Sequence, residues 1–177
     1  MNRNPLQGSV VPFARRWHVI HEIDLVRLTG EHRRRADLCV QAEAIADALP
    51  CWPDADVVAA FIAALDGIAA REGDESASLD AMLLHGHHHP LAETLLRHVR
   101  QRHATDSEAA CELVAALAEG DDRPCSETLG YMLRGFFNGC RRTIDFEQVT
   151  ILALAGHRLT QDARALLAGA LAARLDA

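Results

Sequence analysis

Four histidines within five residues form the densest group of side chains that could do chemistry. They are His85, His87, His88 and His89. Gly86 and Pro90 predict a turn here, and neutral imidazole is the commonest protein ligand for zinc, nickel and iron. If Pro90 begins a helix, Glu93 lies one turn after His89 on the same face. The loop therefore predicts a metal site, with a solvated and inert polar loop as the alternative.

A second histidine and carboxylate pair repeats this spacing near the N-terminus. His18 and Glu22 are four residues apart, and His21 lies beside them. Helices that brought the two groups together would supply metal ligands from facing surfaces, which loosely resembles helical di-metal proteins. The Glu-x-x-His spacing of those proteins does not occur in this sequence. We therefore treat these three residues as weaker candidates for metal ligands.

Arginine clusters flank the first predicted helix and indicate a binding surface. Arg15 and Arg16 precede it, and Arg33, Arg34 and Arg35 follow it. Guanidinium groups bind phosphates and carboxylates through paired hydrogen bonds. Only Trp17 could stack on bases, so nucleic acid is disfavoured and an acidic protein or a second copy of the chain is favoured. The alternative is a solvated helix face.

Three glycines lie within or at the end of a predicted helix that begins near Ser126. They are Gly130, Gly135 and Gly139. Glycine costs about 1 kcal/mol relative to alanine inside a helix, so the pattern predicts close approach of another backbone or of a ligand. Tight helix packing at Gly135 is the favoured interpretation. Polar residues on this helix, namely Tyr131, Arg134 and Asn138, predict a surface that recognises a partner.

Several reaction classes are excluded by residues that the sequence lacks. All 18 basic residues are arginine, which rules out a phosphate-loop lysine, a Schiff-base lysine and a Ser-Lys dyad. Neither a GxGxxG nor a GxSxG motif occurs. The five cysteines form no CxxC pair, which favours buried thiols over a disulfide framework or a redox site. We assign no catalytic residue, and an enzyme is the less favoured interpretation.

The net charge of −7 is unevenly distributed along the chain. Residues 1–35 hold seven arginines and three acids, whereas residues 36–177 hold eleven arginines and twenty-two acids, so the two parts carry +4 and −11. Opposite charges of this kind favour association with another protein or formation of a homodimer.

Helical periodicity predicts the secondary structure in which these residues lie. Apolar stripes recur from Glu31 onward, and turn or capping residues separate them, notably Pro50, Asp54, Gly73, Pro90, Asp106, Asp145 and Thr160. The pattern predicts an all-α fold of seven to nine helices, arranged as a bundle or as stacked hairpins. We expect an extended arm at residues 1–16 and a single helical domain at residues 17–177.

These observations favour a non-enzymatic interaction or regulatory module of the adaptor, chaperone or antidote type. The alternative is a metal-binding sensor or metalloenzyme that uses the histidine loop for zinc, nickel or iron; no other cofactor is expected. No apolar run reaches the roughly 18 residues that a membrane span requires, so we expect a cytoplasmic protein, from a bacterium with a GC-rich genome.

Overall fold

The structure is a computed structural model that describes residues 19–84, 90–118 and 123–175, apart from the side chains of residues 69, 72, 74, 174 and 175. Five helices make up this part of the chain: α1 (Glu22–Ala48), α2 (Ala55–Leu83), α3 (Pro90–Leu117), α4 (Ser126–Ala155) and α5 (Gln161–Leu175). The predicted all-α class is confirmed. The predicted arm at residues 1–16 lies outside the described residues. None of the helices described is long and apolar enough to cross a membrane.

Several of the predicted turn and capping residues lie at helix ends. α1 ends two residues before Pro50, Asp54 is the N-cap residue of α2, and Pro90 is the first residue of α3. The hydroxyl of Thr160 accepts a hydrogen bond of 3.2 Å from the backbone N–H of Ala163 and so caps α5.

The predicted number of helices was wrong for the described residues, which contain five rather than seven to nine. Predicted boundaries at Gly73, Asp106 and Asp145 lie inside α2, α3 and α4. One glycine costs about 1 kcal/mol in a helix, which is small beside the apolar burial on either side of it. Asp106 is buried in the middle of α3 and therefore caps nothing. The result is fewer and longer helices.

Helices α1 to α4 form an up-and-down bundle. α1 packs beside α2 and α4, α3 packs beside the same two helices, and α5 covers α1 and α4. Two separate apolar clusters fill the interior. The first, around Phe61, Leu113 and Phe136, lies where α2 and α4 begin. The second, around Leu96 and Ile151, lies at the opposite end and includes α5.

A backbone bridge connects the residues before α1 to the turn between α4 and α5. The N–H of Ile20 donates to the carbonyl of Arg158 at 2.9 Å, and the N–H of Thr160 donates to the carbonyl of Ile20 at 3.0 Å. Ile20 and Leu159 therefore form an isolated parallel bridge, the sole β-type pairing in the part of the chain described. The bridge places the start of α1 beside α5.

Candidate functional site

Buried polar side chains form a layer between the two apolar clusters, which we call the polar layer. Four helices contribute, and the members are His32 and Arg35 on α1, Glu75 on α2, His103 and Asp106 on α3, and Thr143, Glu147 and Gln148 on α4. Each is less than a tenth exposed. Because charged groups are rarely buried without partners, this layer is the strongest candidate for a site.

The carboxylate of Glu147 lies at the centre of the polar layer. His32 Nε2 donates to its Oε2 at 2.7 Å, and His103 Nε2 donates to its Oε1. Arg35 Nη1 lies 3.6 Å from Oε1, within the range of an ion pair. Burial raises the pKa of Glu147, but the hydrogen bonds and charges of the two imidazoles outweigh it and lower the pKa to about 2. Glu147 is therefore ionised over the physiological pH range.

The other two carboxyl groups of the polar layer, Glu75 and Asp106, have raised pKa values, unlike Glu147. Arg35 Nη2 donates to Glu75 Oε2 at 2.6 Å, yet burial dominates and raises the pKa of Glu75. Burial also raises the pKa of Asp106, against a hydrogen bond from the hydroxyl of Thr143. Both groups are therefore easier to protonate than an ordinary carboxyl group.

Several atoms of the polar layer have unused hydrogen-bonding capacity. Among the described residues, Arg35 Nη1, Glu75 Oε1, His103 Nδ1 and Asp106 Oδ2 are buried without a hydrogen-bond partner. Buried polar atoms without partners cost free energy and are uncommon in native proteins. The layer therefore has spare donors and acceptors at one place in the core.

Three of these side chains also bring possible metal-ligand atoms close together. One ligand atom each from His32, Glu75 and Glu147 can be chosen so that all three lie within 4.8 Å of one another. Ligand atoms about 2.0–2.2 Å from a common ion lie at most about 4.4 Å apart, so the side chains would have to close in on an ion to bind it together. The residues come from α1, α2 and α4, so the bundle itself fixes their convergence.

A small cavity adjoins Glu75 on the side facing the surface between α1 and α2. Its volume is about 10 Å³, room for about one water molecule, and it is lined by Arg27, Leu28, Glu31, Arg71, Glu75 and Ser78. Glu31 lies at this cavity and accepts hydrogen bonds of 3.1 Å from Nε of both Arg34 and Arg71. Burial raises the pKa of Glu31, but the two arginines outweigh it and lower the pKa. An ion pair network therefore lies on the outer side of Glu75.

Those metal ligands predicted from the sequence that the structure describes are not part of the polar layer. His85, His87, His88, His89 and His18 lie outside the described residues. The remaining three, His21, Glu22 and Glu93, are exposed at helix N-termini. His21 is the N-cap residue of α1, and its backbone N–H donates to Asp24. The loop site stays a prediction.

The predicted arginine surface needs one correction. Arg33 and Arg34 are exposed on α1, whereas Arg35 is buried and bonded to Glu75. Consecutive helical residues point in directions about 100° apart, so three in a row cannot all face the solvent beside a packed core. Arg35 is therefore not available to a partner in this fold.

The predicted recognition residues of α4 share an exposed face. Tyr131 is 82% exposed, Arg134 reaches the carboxylate of Asp47 at 3.4 Å, and Asn138 donates to the carbonyl of Arg134 at 2.8 Å. Their binding of a partner stays a prediction.

The interpretation of Gly135 as a tight packing position was wrong. A Cβ atom there would meet nothing within 4 Å, because Gly135 faces solvent. The close approaches occur at the other two glycines. A Cβ at Gly139 would lie 3.2 Å from Asp106 Oδ1, and one at Gly130 would lie 3.3 Å from Leu49 Cδ1. Gly139 therefore leaves space for a member of the polar layer.

Sequence reasoning missed the core of the polar layer, although a signal was present. On α3 the buried stripe runs through Val99, His103, Asp106 and Ala110, and on α4 Glu147 continues a stripe that includes Ile144 and Ile151. Polar residues at positions that the helical period assigns to the core, repeated on four helices, are the signal for such a layer. Each one alone looks like an ordinary interruption of an apolar stripe.

Comparisons with known protein families, curated proteins and solved structures found no match to this chain.

Proposed function

We propose that the protein binds one divalent transition-metal ion through His32, Glu75 and Glu147. The observation that carries this proposal is the convergence of their ligand atoms within 4.8 Å in the buried centre of the bundle. One imidazole nitrogen and two carboxylate oxygens form a donor set that suits iron, manganese or zinc. Metal binding was the alternative function predicted from the sequence, at the histidine loop. We propose a different site for it, inside the bundle.

The charges of the polar layer support a single divalent ion. In the metal-bound state, with the carboxyl groups ionised and the imidazoles neutral, Glu75, Asp106 and Glu147 carry two more negative charges than Arg35 balances. Uncompensated charge in a protein interior is costly, so the group neutralises or acquires a counter-charge. One divalent cation would supply the missing charge, and two would exceed it.

Protons take the place of the ion when the metal is removed. The raised pKa values of Glu75 and Asp106 favour their neutral forms in the buried layer. Metal binding to Glu75 competes with protonation of this carboxyl group, so the affinity for the ion rises with pH. A titration of affinity against pH in two buffers of different ionisation enthalpy measures both the slope and the proton release.

The small size of the adjoining cavity favours ion binding or sensing over turnover of an organic substrate. The space beside Glu75 holds about one water molecule. The site would act through the effect of the ion on stability, since a ligand that binds only the folded state stabilises it. We therefore propose that the protein takes part in metal-dependent regulation.

Metal analysis of untagged protein purified without chelating resin tests the proposal. After equilibration with Fe²⁺, Mn²⁺ or Zn²⁺ and desalting, we expect about one equivalent per chain of the preferred metal, with a melting temperature lowered by chelation. The variants His32→Gln and Glu147→Gln should lose this equivalent. Glu43→Gln is the matched control, because Glu43 pairs with Arg141 at the exposed side of the same two helices.

A second set of variants separates the polar layer from the histidine loop. Replacement of His85, His87, His88 and His89 by glutamine should leave the bound equivalent in place. Loss of metal from this loop variant, together with full retention in Glu147→Gln, would assign the ion to the loop and overturn the site proposed here.

A second candidate function is protein interaction, the adaptor, chaperone or antidote type of module, and one surface observation favours it. Ile23 and Val26 lie about one turn apart on α1, and Val19 lies three residues before this helix begins; all three are about half exposed or more, with Ile23 at 70%. We call these residues the exposed apolar stripe, and neighbouring exposed apolar residues are typical of a partner-binding surface. A second copy of the chain or another protein would cover this stripe.

Oligomeric state measured by sedimentation over a range of salt concentrations tests this second function. We expect association that is weakened by Ile23→Glu and unaffected by Val40→Glu, since Val40 is 61% exposed on α1 outside this stripe. The charge asymmetry of the sequence predicts weaker association at high salt. A monomer under all conditions, with no partner recovered from extracts, would remove this candidate.

A further inference from the structure

Two cysteines face each other between α1 and α4, next to the polar layer. Cys39 on α1 and Cys140 on α4 are at most 1% exposed and belong to the same apolar cluster. The thiol of Cys39 lies 3.6 Å from the carbonyl oxygen of Phe137, to which it donates. Phe137 precedes Cys140 by about one helical turn, so Cys39 packs on the face of α4 that carries Cys140.

The two thiols interact directly and are not equivalent. The neighbouring Cys140 side chain lowers the pKa of Cys39, with the help of the positive charges of Arg141 and Arg35. The neighbouring Cys39 side chain, together with burial, raises the pKa of Cys140. In a pair of neighbouring thiols with unequal pKa values, one sulfur is the better nucleophile and the other can resolve a mixed disulfide.

We infer that Cys39 and Cys140 form a reversible disulfide that links α1 to α4, with a low-molecular-weight disulfide such as oxidised glutathione as the oxidant. Local opening of the bundle exposes the pair, and the Cys39 thiolate then attacks one sulfur of the small disulfide, whose S–S bond breaks and releases one small thiolate. Cys140 then loses its proton and attacks the Cys39 sulfur, and the second small thiolate leaves. The protein gives up two electrons and two protons, and the small disulfide is reduced to two thiols.

The proposed disulfide would stabilise the folded protein because it joins residues that are far apart in the sequence. It would close a loop of about 100 residues, and cross-links across long loops restrict the unfolded chain most. It would also lie one helical turn from Arg35 on α1. Oxidation would therefore raise the melting temperature of the protein, whether or not the polar layer holds a metal.

The other three cysteines provide the controls. Cys51, Cys111 and Cys125 are exposed. In a variant with all three replaced by serine, the two buried thiols are the sole thiols of the chain.

The experiment uses this triple-serine variant in two arms. In one arm the folded protein is incubated with glutathione buffers of increasing oxidised fraction; in the other it is refolded from denaturant in the same buffers, which removes the barrier of burial. Alkylation under acid quench and peptide mass spectrometry then count the free thiols. We expect both thiols to be lost together in at least one arm, with a Cys39–Cys140 cross-linked peptide and a raised melting temperature. Addition of Cys39→Ser should abolish the cross-link.

Two free thiols in both arms at the most oxidising ratio would overturn the inference. So would glutathione adducts on either cysteine without a Cys39–Cys140 cross-link, because the second step would then not occur in this fold.

Discussion

Replacement of Glu147 by glutamine is the sharpest test of the polar layer as an electrostatic unit. The substitution keeps the size of the side chain and removes the negative charge that His32, His103 and Arg35 share. The pKa of Glu147 falls from the ordinary 4.5 to about 2 on folding. At 1.36 kcal/mol per pKa unit, ionised Glu147 contributes about 3 kcal/mol to the free energy of unfolding at neutral pH.

Urea unfolding of the wild type and of Glu147→Gln, with a chelator in both samples, measures this contribution without a metal. We expect Glu147→Gln to lower the free energy of unfolding by about 3 kcal/mol at about pH 7. For a chain of this length that loss corresponds to a fall of roughly 6–12 °C in melting temperature. Glu43→Gln, which removes an exposed carboxylate between the same two helices, should change stability little.

The pH dependence tests the cause. A carboxyl group whose pKa is lowered by folding stabilises the protein fully above its unfolded pKa and loses this effect as the pH falls toward its folded pKa. The difference between wild type and Glu147→Gln should therefore be constant near neutral pH and shrink between about pH 5 and about pH 2. A loss no larger than that of Glu43→Gln, or a difference independent of pH, would refute the reasoning.

Three further predictions concern the core and the glycines. Asp106→Asn should raise the free energy of unfolding at neutral pH in chelator, because burial raises the pKa of Asp106 and the charged form therefore opposes folding; the gain should vanish in acid, which urea unfolding at several pH values would show. Phe136→Ala should lower the free energy of unfolding by about 3–5 kcal/mol in urea, since the ring is 2% exposed. Gly135→Ala should raise the melting temperature because an added methyl group meets nothing, whereas Gly139→Ala should lower it because the methyl group would crowd Asp106 Oδ1 at 3.2 Å; the opposite order would contradict the packing described here.

The ends of the helices were predictable because they depend on local chemistry. Proline lacks a backbone N–H, and Thr160 can accept a hydrogen bond from the first turn of α5, so these signals act within a few residues. Whether a helix continues through a possible boundary residue was not predictable in the same way. Gly73 and Asp145 resemble boundary residues, but burial on both sides of them decides the outcome, and burial depends on the other helices.

The polar layer depends on contacts that are distant in sequence. His32 and Glu147 are separated by 115 residues, and His103 and Glu147 by 44. Periodicity can show that each residue falls on a buried stripe, but the height at which two helices meet is set by packing. The histidine loop attracted attention because its members are neighbours in sequence, whereas the candidate site of the bundle combines single residues from separate helices.

The separation of the apolar interior into two clusters has a consequence for the alignment of the helices. The polar side chains of α1 to α4 all lie at the same height, with apolar residues above and below them. A shift of one helix along its axis by a single turn would move a charged side chain away from its partners and into an apolar cluster. Apolar packing alone tolerates such a shift, because one aliphatic side chain replaces another. The polar layer therefore fixes the register of the helices. It selects one axial alignment of the bundle from several that an apolar core would accept.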